Sequence, residues 1–177
     1  MSAEFTRDAA ATAAIFGFFA ASWFGWAQEQ PPTAWRTWLI AGAILSLLMA
    51  VVGGWLTWQH WSDATAFNPQ TGRTFGVIVG IEFTLAALGA GLLTVLGKPQ
   101  FIAPWVALVV GVHFFPLARL LSYRLFTVVA VLVSLSALLA IPLARSQSLT
   151  ISAVTGLATG LILLTAALFS LITFLYP

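Results

Sequence analysis

Ile102-Ala-Pro-Trp-Val-Ala-Leu-Val-Val-Gly-Val-His-Phe-Phe-Pro-Leu-Ala-Arg-Leu-Leu121 is an apolar run in which only His113 and Arg119 carry ionisable side chains. Its length matches the roughly 20 residues that a helix needs to cross about 30 Å of hydrocarbon. Within it, Gly111-Val-His-Phe-Phe-Pro-Leu-Ala-Arg119 gathers a titratable ring, a helix-breaking imide and a fixed cation within a few residues. A run of this kind belongs to a membrane helix, and the rest of the chain repeats it.

The composition agrees. Hydrophobic residues make up 60% of the 177 and charged residues 7%, against about 25% charged in soluble domains. The mean hydropathy is +1.01. With no cysteine, disulfides, thiolate metal sites and thiol nucleophiles are all excluded. The seven basic residues are scattered singly, so the net charge of +2 forms no patch and nucleic acid is not an expected partner. The expected surroundings are the lipid bilayer.

Working outward from the central run, five further spans can be marked. Residues 9–27 form the first; it is read as retained, although Gly25-Trp-Ala27 resembles a signal-peptide cut, because Glu4 and Asp8 accompany Arg7 in the lead. Pro31-Pro32 then breaks the helix. The second span is 35–58, with Trp35 and Trp38 at one end and Trp55 and Trp58 at the other, followed by Trp61. Indoles prefer the headgroup level, so these clusters mark the two membrane boundaries. The segment 59–73 is the longest polar loop, with Asp63, Asn68-Pro69 and Thr71-Gly72 as turn signals. The third span is 74–96, the fourth 102–121, the fifth 125–144 and the sixth 149–175. The fold expected is an all-α membrane protein, a single domain of six transmembrane helices in an antiparallel bundle with short loops. Only helices or closed barrels satisfy every backbone group in lipid, and these runs are too long for barrel strands.

Orientation rests on the distribution of basic residues. One face holds Arg7, Arg73, Arg119 and Arg124, the other Arg36, Lys98 and Arg145, which favours cytoplasmic termini in a plasma membrane by four to three. A balance this close is also what a dual-topology protein shows, which would allow antiparallel homodimers. Three helices followed by three would place the halves in inverted orientation, but no residue-level repeat relates them.

Small residues recur at helical spacing. Ala13, Gly17, Ala21 and Gly25 form one stripe, and Gly42, Ser46, Ala50 and Gly54 another. Gly72, Gly76, Gly80 and Thr84 form a third, while Gly156 and Gly160 accompany Thr155 and Thr159 in the sixth span. Such stripes let helix backbones approach closely. They are therefore read as packing surfaces, and Leu at Gly17 or Gly76 is expected to lower the melting temperature.

The chemistry has few candidates. Glu82 and His113 are the titratable residues in the interior of the expected spans. Glu82 lies about 12 Å into the third span and His113 about 16 Å into the fourth from the opposite surface, so their depths nearly coincide in a core of about 30 Å. A short turn joins the two spans, which makes them antiparallel neighbours and brings the two side chains within reach. An isolated ionised group at that depth costs at least about 2.5–3.5 kcal/mol, so such groups find partners or functions. Pro116 removes one helical hydrogen bond, frees the carbonyl of Val112 beside His113 and kinks the helix. Pro142 does the same for Leu138, where Ser134 and Ser136 can line a path or bond back to their own helix. Arg119 completes the polar group, although two turns nearer the surface it also suits a snorkelling anchor.

No cofactor or metal is expected. His60 sits at a membrane boundary without a second ligand at matching depth. No Gly-x-Ser-x-Gly, His-Glu-x-x-His or Gly-rich phosphate loop is present, so nothing in the sequence points to an enzyme, and one would have to be built on Glu82 and His113. Two readings follow. The first is a transporter or channel for a small solute or ion with a polar intramembrane site at Glu82, His113 and Arg119. The second is a non-transporting scaffold held by small-residue packing, assembling as a homo-oligomer or with a partner.

Overall fold

The computed structural model describes residues 5–176. They form α1 (Thr6–Trp26), α2 (Arg36–Gln59), α3 (Pro69–Val95), α4 (Ile102–Leu120), α5 (Arg124–Ser146) and α6 (Ile151–Leu175), with single 3₁₀ turns at Thr33–Trp35 and Pro99–Phe101. All six helices are long and apolar enough to cross a membrane, and the described residues contain no strand. The architecture is that of a polytopic membrane protein.

The expected boundaries shift most at α3, which starts at Pro69 rather than Thr74. Asn68 and Pro69, read as turn signals, are helix-start signals here. The Asn68 side-chain oxygen accepts from the amides of Gln70 (3.0 Å) and Thr71 (2.9 Å), while Pro69 fills the first helical position, where its missing donor costs nothing. The loop therefore shrinks to residues 60–68. At the far end Gly97 takes φ +67 so that the amide of Lys98 can reach the carbonyl of Leu93 (2.8 Å), closing α3 in a Schellman turn. Pro116 and Pro142 both lie inside continuous helices.

Helix neighbours follow the order α2, α1, α6, α5, α4, α3, with α6 also touching α2 and α4. α2 and α3 are consecutive in the chain but end the arc on opposite sides; the nine-residue connection at 60–68 lets them part. α1 and α6 are the most enclosed helices; in α1, Ala9, Ala10, Ala13, Phe16, Ala20 and Phe24 are almost fully buried. At the bundle centre the ring of Phe16 stands edge-on to Phe114 (5.4 Å) and Phe126 (5.3 Å). Polarity is arranged inside out: Ser46, Thr155, Thr159 and Ser170 are wholly buried, while many leucines, isoleucines and tryptophans, including Trp38 and Trp58, face outward. Lipid is as apolar as leucine, so small residues that let backbones approach gain most from the interior.

Candidate functional site

Glu82 lies midway along α3 and His113 two-thirds along α4. The carboxylate oxygen Oε2 of Glu82 is 3.3 Å from Nε2 of His113, and both side chains are about nine-tenths buried (12% and 11% exposed). On its other side the imidazole meets its own helix, with Nδ1 2.5 Å from the carbonyl oxygen of Val110. A carbonyl can only accept, so Nδ1 carries a proton. This decides the state of the pair. In the neutral ring Nε2 is then a bare acceptor, and a bare acceptor facing a carboxylate oxygen would leave two lone pairs opposed. One proton between them, on the carboxyl or on the ring, satisfies the contact and leaves the pair neutral overall in either form.

The pair borders a cavity of about 470 Å³ between α1 on one side and α3 with α4 on the other. Along α1 the lining runs from Asp8 to Trp26, about 27 Å at 1.5 Å per residue, nearly the whole length of the helix. Its lining is rich in aromatic rings, Phe16, Phe19 and Trp23 from α1, Phe83 of α3 and Phe114 of α4, with Phe16 and Phe114 in edge contact. Of the charged and titratable residues, only Asp8, Glu82, His113 and Tyr123 line it, and among the described residues no Lys or Arg does. Glu82 and His113 also border a second apolar depression on the other face of the α3–α4 pair, beside Trp105, Val112 and Pro116. Trp105 fixes this helix pair, donating from Nε1 to the carbonyl of Leu85 (3.1 Å).

At one end of the cavity, Asp8 holds the 60–68 connection to the start of α1. Its carboxylate accepts from the Thr65 hydroxyl (2.6 Å) and the Ala66 amide (2.7 Å). Beside it, the Arg7 guanidinium donates to the Trp61 carbonyl (2.7 Å) and lies 4.3 Å over the Trp61 ring. Phe67 and Phe75, in edge contact at 5.3 Å, are thereby set at the same end of the cavity.

Not every expected site residue joins this group. Arg119 is exposed in the last turn of α4 and lines neither cavity. Six residues beyond His113 it has turned about 120° around the helix, away from the pair. Pro142 faces outward on α5 and lines neither cavity. Ser134, considered as lining, packs instead against Gly111, where a Cβ would collide with its hydroxyl; among the described residues its Oγ has no hydrogen-bond partner. Ser136 bonds back to Val133 (2.9 Å). His60 pairs with Asp63 (2.7 Å) at the exposed end of α2.

The glycines divide. A Cβ on Gly17 would lie 2.7 Å from both Ala50 N and Ser46 O of α2, and one on Gly156 2.7 Å from Ala27 N and Trp23 O of α1. Gly42 and Gly160 flank the Phe24 ring from α2 and α6, with a Cβ at 2.9 and 3.2 Å from it. Gly25, Gly54, Gly76 and Gly80, expected to pack, face open space. On α2 the register advances by three after Ala50, so Gly53 and not Gly54 meets α1, 2.6 Å from Ala14 N and 2.8 Å from Ala10 O. Gly89, beneath the Trp105 indole, and Gly111 were not anticipated because neither lies in an i, i+4 stripe. Asp8 lies in the polar lead of the sequence, and its role depends on a partner 57 residues away that no local pattern discloses.

Compared with family models, curated proteins and solved structures, the chain has no match.

Proposed function

We propose that this protein is a carrier for a small solute, with Glu82 and His113 as the intramembrane binding pair and the α1/α3–α4 cavity as the solute's place. The supporting observation is the cavity itself: the two interior titratable groups meet and face a space rather than a close-packed centre. A clamp serving only to fix helix register needs no such space. At about 470 Å³ it falls within the range that holds small ligands. In the proposed orientation the end near Asp8, Arg73, Arg119 and Arg124 faces the cytoplasm of a plasma membrane.

Flux into proteoliposomes, compared among wild type, Glu82→Gln and His113→Ala, tests this. Wild type moves a solute or protons, and both variants slow that flux by about tenfold or more, the factor that follows from losing about 1.4 kcal/mol of binding. No flux in the wild type, or equal flux in all three, overturns the carrier.

One observation favours the scaffold alternative: the Gly72, Gly76 and Gly80 ridge of α3 is left open within a single chain, as an assembling surface would be. A dimer in mild detergent that Gly76→Leu dissociates supports it; a monomeric wild type removes it.

A further inference from the structure

The cavity that the carrier reading assigns to the solute has a chemistry of its own. Its carboxylates are Asp8 at one end and Glu82, paired with His113, in the middle, and among the described residues no Lys or Arg lines it. Aromatic rings from three helices line it, Phe16, Phe19 and Trp23 of α1, Phe83 of α3 and Phe114 of α4. Aromatic faces and a carboxylate in apolar surroundings attract the same kind of guest, a cation whose charge is spread over an apolar body. An anion would meet the Asp8 carboxylate and, among the described residues, no Lys or Arg in the lining. A neutral guest would leave the Glu82–His113 proton where it is.

That proton decides how a cation enters. Before entry, the pair holds one proton between the Glu82 oxygen and Nε2 of His113, while Nδ1–H stays on Val110. A cation placed against the Glu82 carboxylate leaves no room for a second positive charge on the ring. The shared proton departs, His113 remains as the neutral Nδ1–H form, and the carboxylate is balanced by the guest. One cation enters, one proton leaves, and the site is neutral before and after, which avoids an uncompensated charge at membrane depth. The other ionisable groups on the surrounding helices stand apart from the pair. Asp8 on α1 is bonded to Thr65 and Ala66, and Tyr123 before α5 contacts Ser170 (3.1 Å). Arg73 on α3 and Arg119 on α4 lie about 13 Å and 9 Å along their helices toward the Asp8 end. Within the described part of α6 no charged residue occurs.

We infer that the α1/α3–α4 cavity binds a small lipophilic organic cation in exchange for the single proton held between Glu82 and His113. This rests on the carrier reading of the same pair, and its test is kept separate from flux. The purified full chain in detergent is titrated with tetraphenylphosphonium, a permanently charged aromatic cation, following bound ligand by equilibrium dialysis and released protons in weakly buffered solution. The expected result is about one proton released per cation bound, the linkage that follows when a cation replaces a proton, with affinity falling as the solution is acidified. Glu82→Gln weakens binding by about tenfold or more and abolishes the release; Glu82→Asp, which keeps the charge, restores both in part. If Glu82→Gln does not fold, the acid-induced loss of affinity in wild type decides the matter. Equal binding of neutral triphenylphosphine oxide overturns the inference and identifies the cavity as a general apolar or acyl-chain groove, as does cation binding without proton release. If phosphonium fails to bind but another solute shows Glu82-dependent flux, the substrate class falls and the carrier stands. If phosphonium exchanges for a proton but nothing is transported, the cation site stands and the carrier falls.

Discussion

Along α1 the helix backbones touch, and along α3 they do not. Gly17, Gly53 and Gly156 each set one helix against the bare backbone of another, locking α2, α1 and α6 into one unit. Among the helices, α3 packs mainly on α4 and contributes no buried residue among those described; the Trp105 indole over Gly89, its bond to Leu85 and the Glu82–His113 contact are its ties. In water, the large apolar residues of α3 would force it inward. In lipid they gain nothing by leaving the surface, and association depends on close packing and interhelical hydrogen bonds. The molecule thus has a firmly built half and a lightly held wall, and Glu82 lies on the wall. Under the carrier reading, a cavity with one firmly packed side and one lightly held side would let a guest enter and leave.

The contrast is sharpened most by substitution on the firm side. At Gly17 a Cβ would already fall 2.7 Å from two backbone atoms of α2, which cannot swing away as a side chain can. Gly17→Leu must push the helices apart, costing about 3 kcal/mol, the upper part of the range for overpacked cores. Thermal melting in detergent, followed by circular dichroism, should show the largest fall of any glycine variant discussed here, with Gly156→Leu close behind. A Gly17→Leu protein that melts like wild type would remove the distinction between the two halves.

Gly89→Leu tests the wall at the one α3 glycine that a neighbour approaches closely among the described residues. The atoms that a new side chain meets belong to the Trp105 indole, which can rotate away at the expense of its hydrogen bond to Leu85. The expected cost is smaller, about 1–2 kcal/mol, with α3 loosened on α4. Asp8→Ala probes the tether at the cavity's end. It removes the acceptors for Thr65 and Ala66, so about 1 kcal/mol is lost, and proteolysis within residues 60–68 should quicken while the melting of the firm half barely changes. Equal protease resistance in the two proteins would show that the tether does not hold that segment.

Much of this contrast can be read in the sequence, and the missing part has a physical cause. Six spans follow from hydropathy because backbone in lipid is confined to helices and closed barrels, and these runs are too long for barrel strands. The meeting of Glu82 and His113 follows from helical rise and a short turn, since only depth and adjacency had to be right. Which glycines pack does not follow. The i, i+4 stripe selects Gly54, but the α1–α2 contact advances from Ala50 to Gly53, a choice made by the crossing of two helices and not by either alone. The arc that separates α2 from α3 is equally invisible, because every span is apolar all round and periodicity carries no signal of which face is inward. For the same reason the aromatic lining supplied by α1 could not be assigned to a cavity from spacing.

The smallest expected effect is the most discriminating. Gly76 belongs to as regular a stripe as Gly17, with Gly72, Gly80 and Thr84 in register, so spacing alone assigns both the same loss. The structure separates them: a Cβ on Gly76 meets nothing within 4 Å, and the residue is exposed. Gly76→Leu in the monomeric protein should therefore move stability by no more than about 0.5 kcal/mol, as for substitutions that touch nothing, and helix propensity favours leucine over glycine. The monomer's melting temperature should be unchanged or slightly raised. A marked fall confined to a dimeric preparation, and absent after dissociation, would mean that a second copy supplies the helix that α3 lacks. A marked fall in the monomer would mean that α3 is packed after all, and the rigid half and the lightly held wall would then be a single unit.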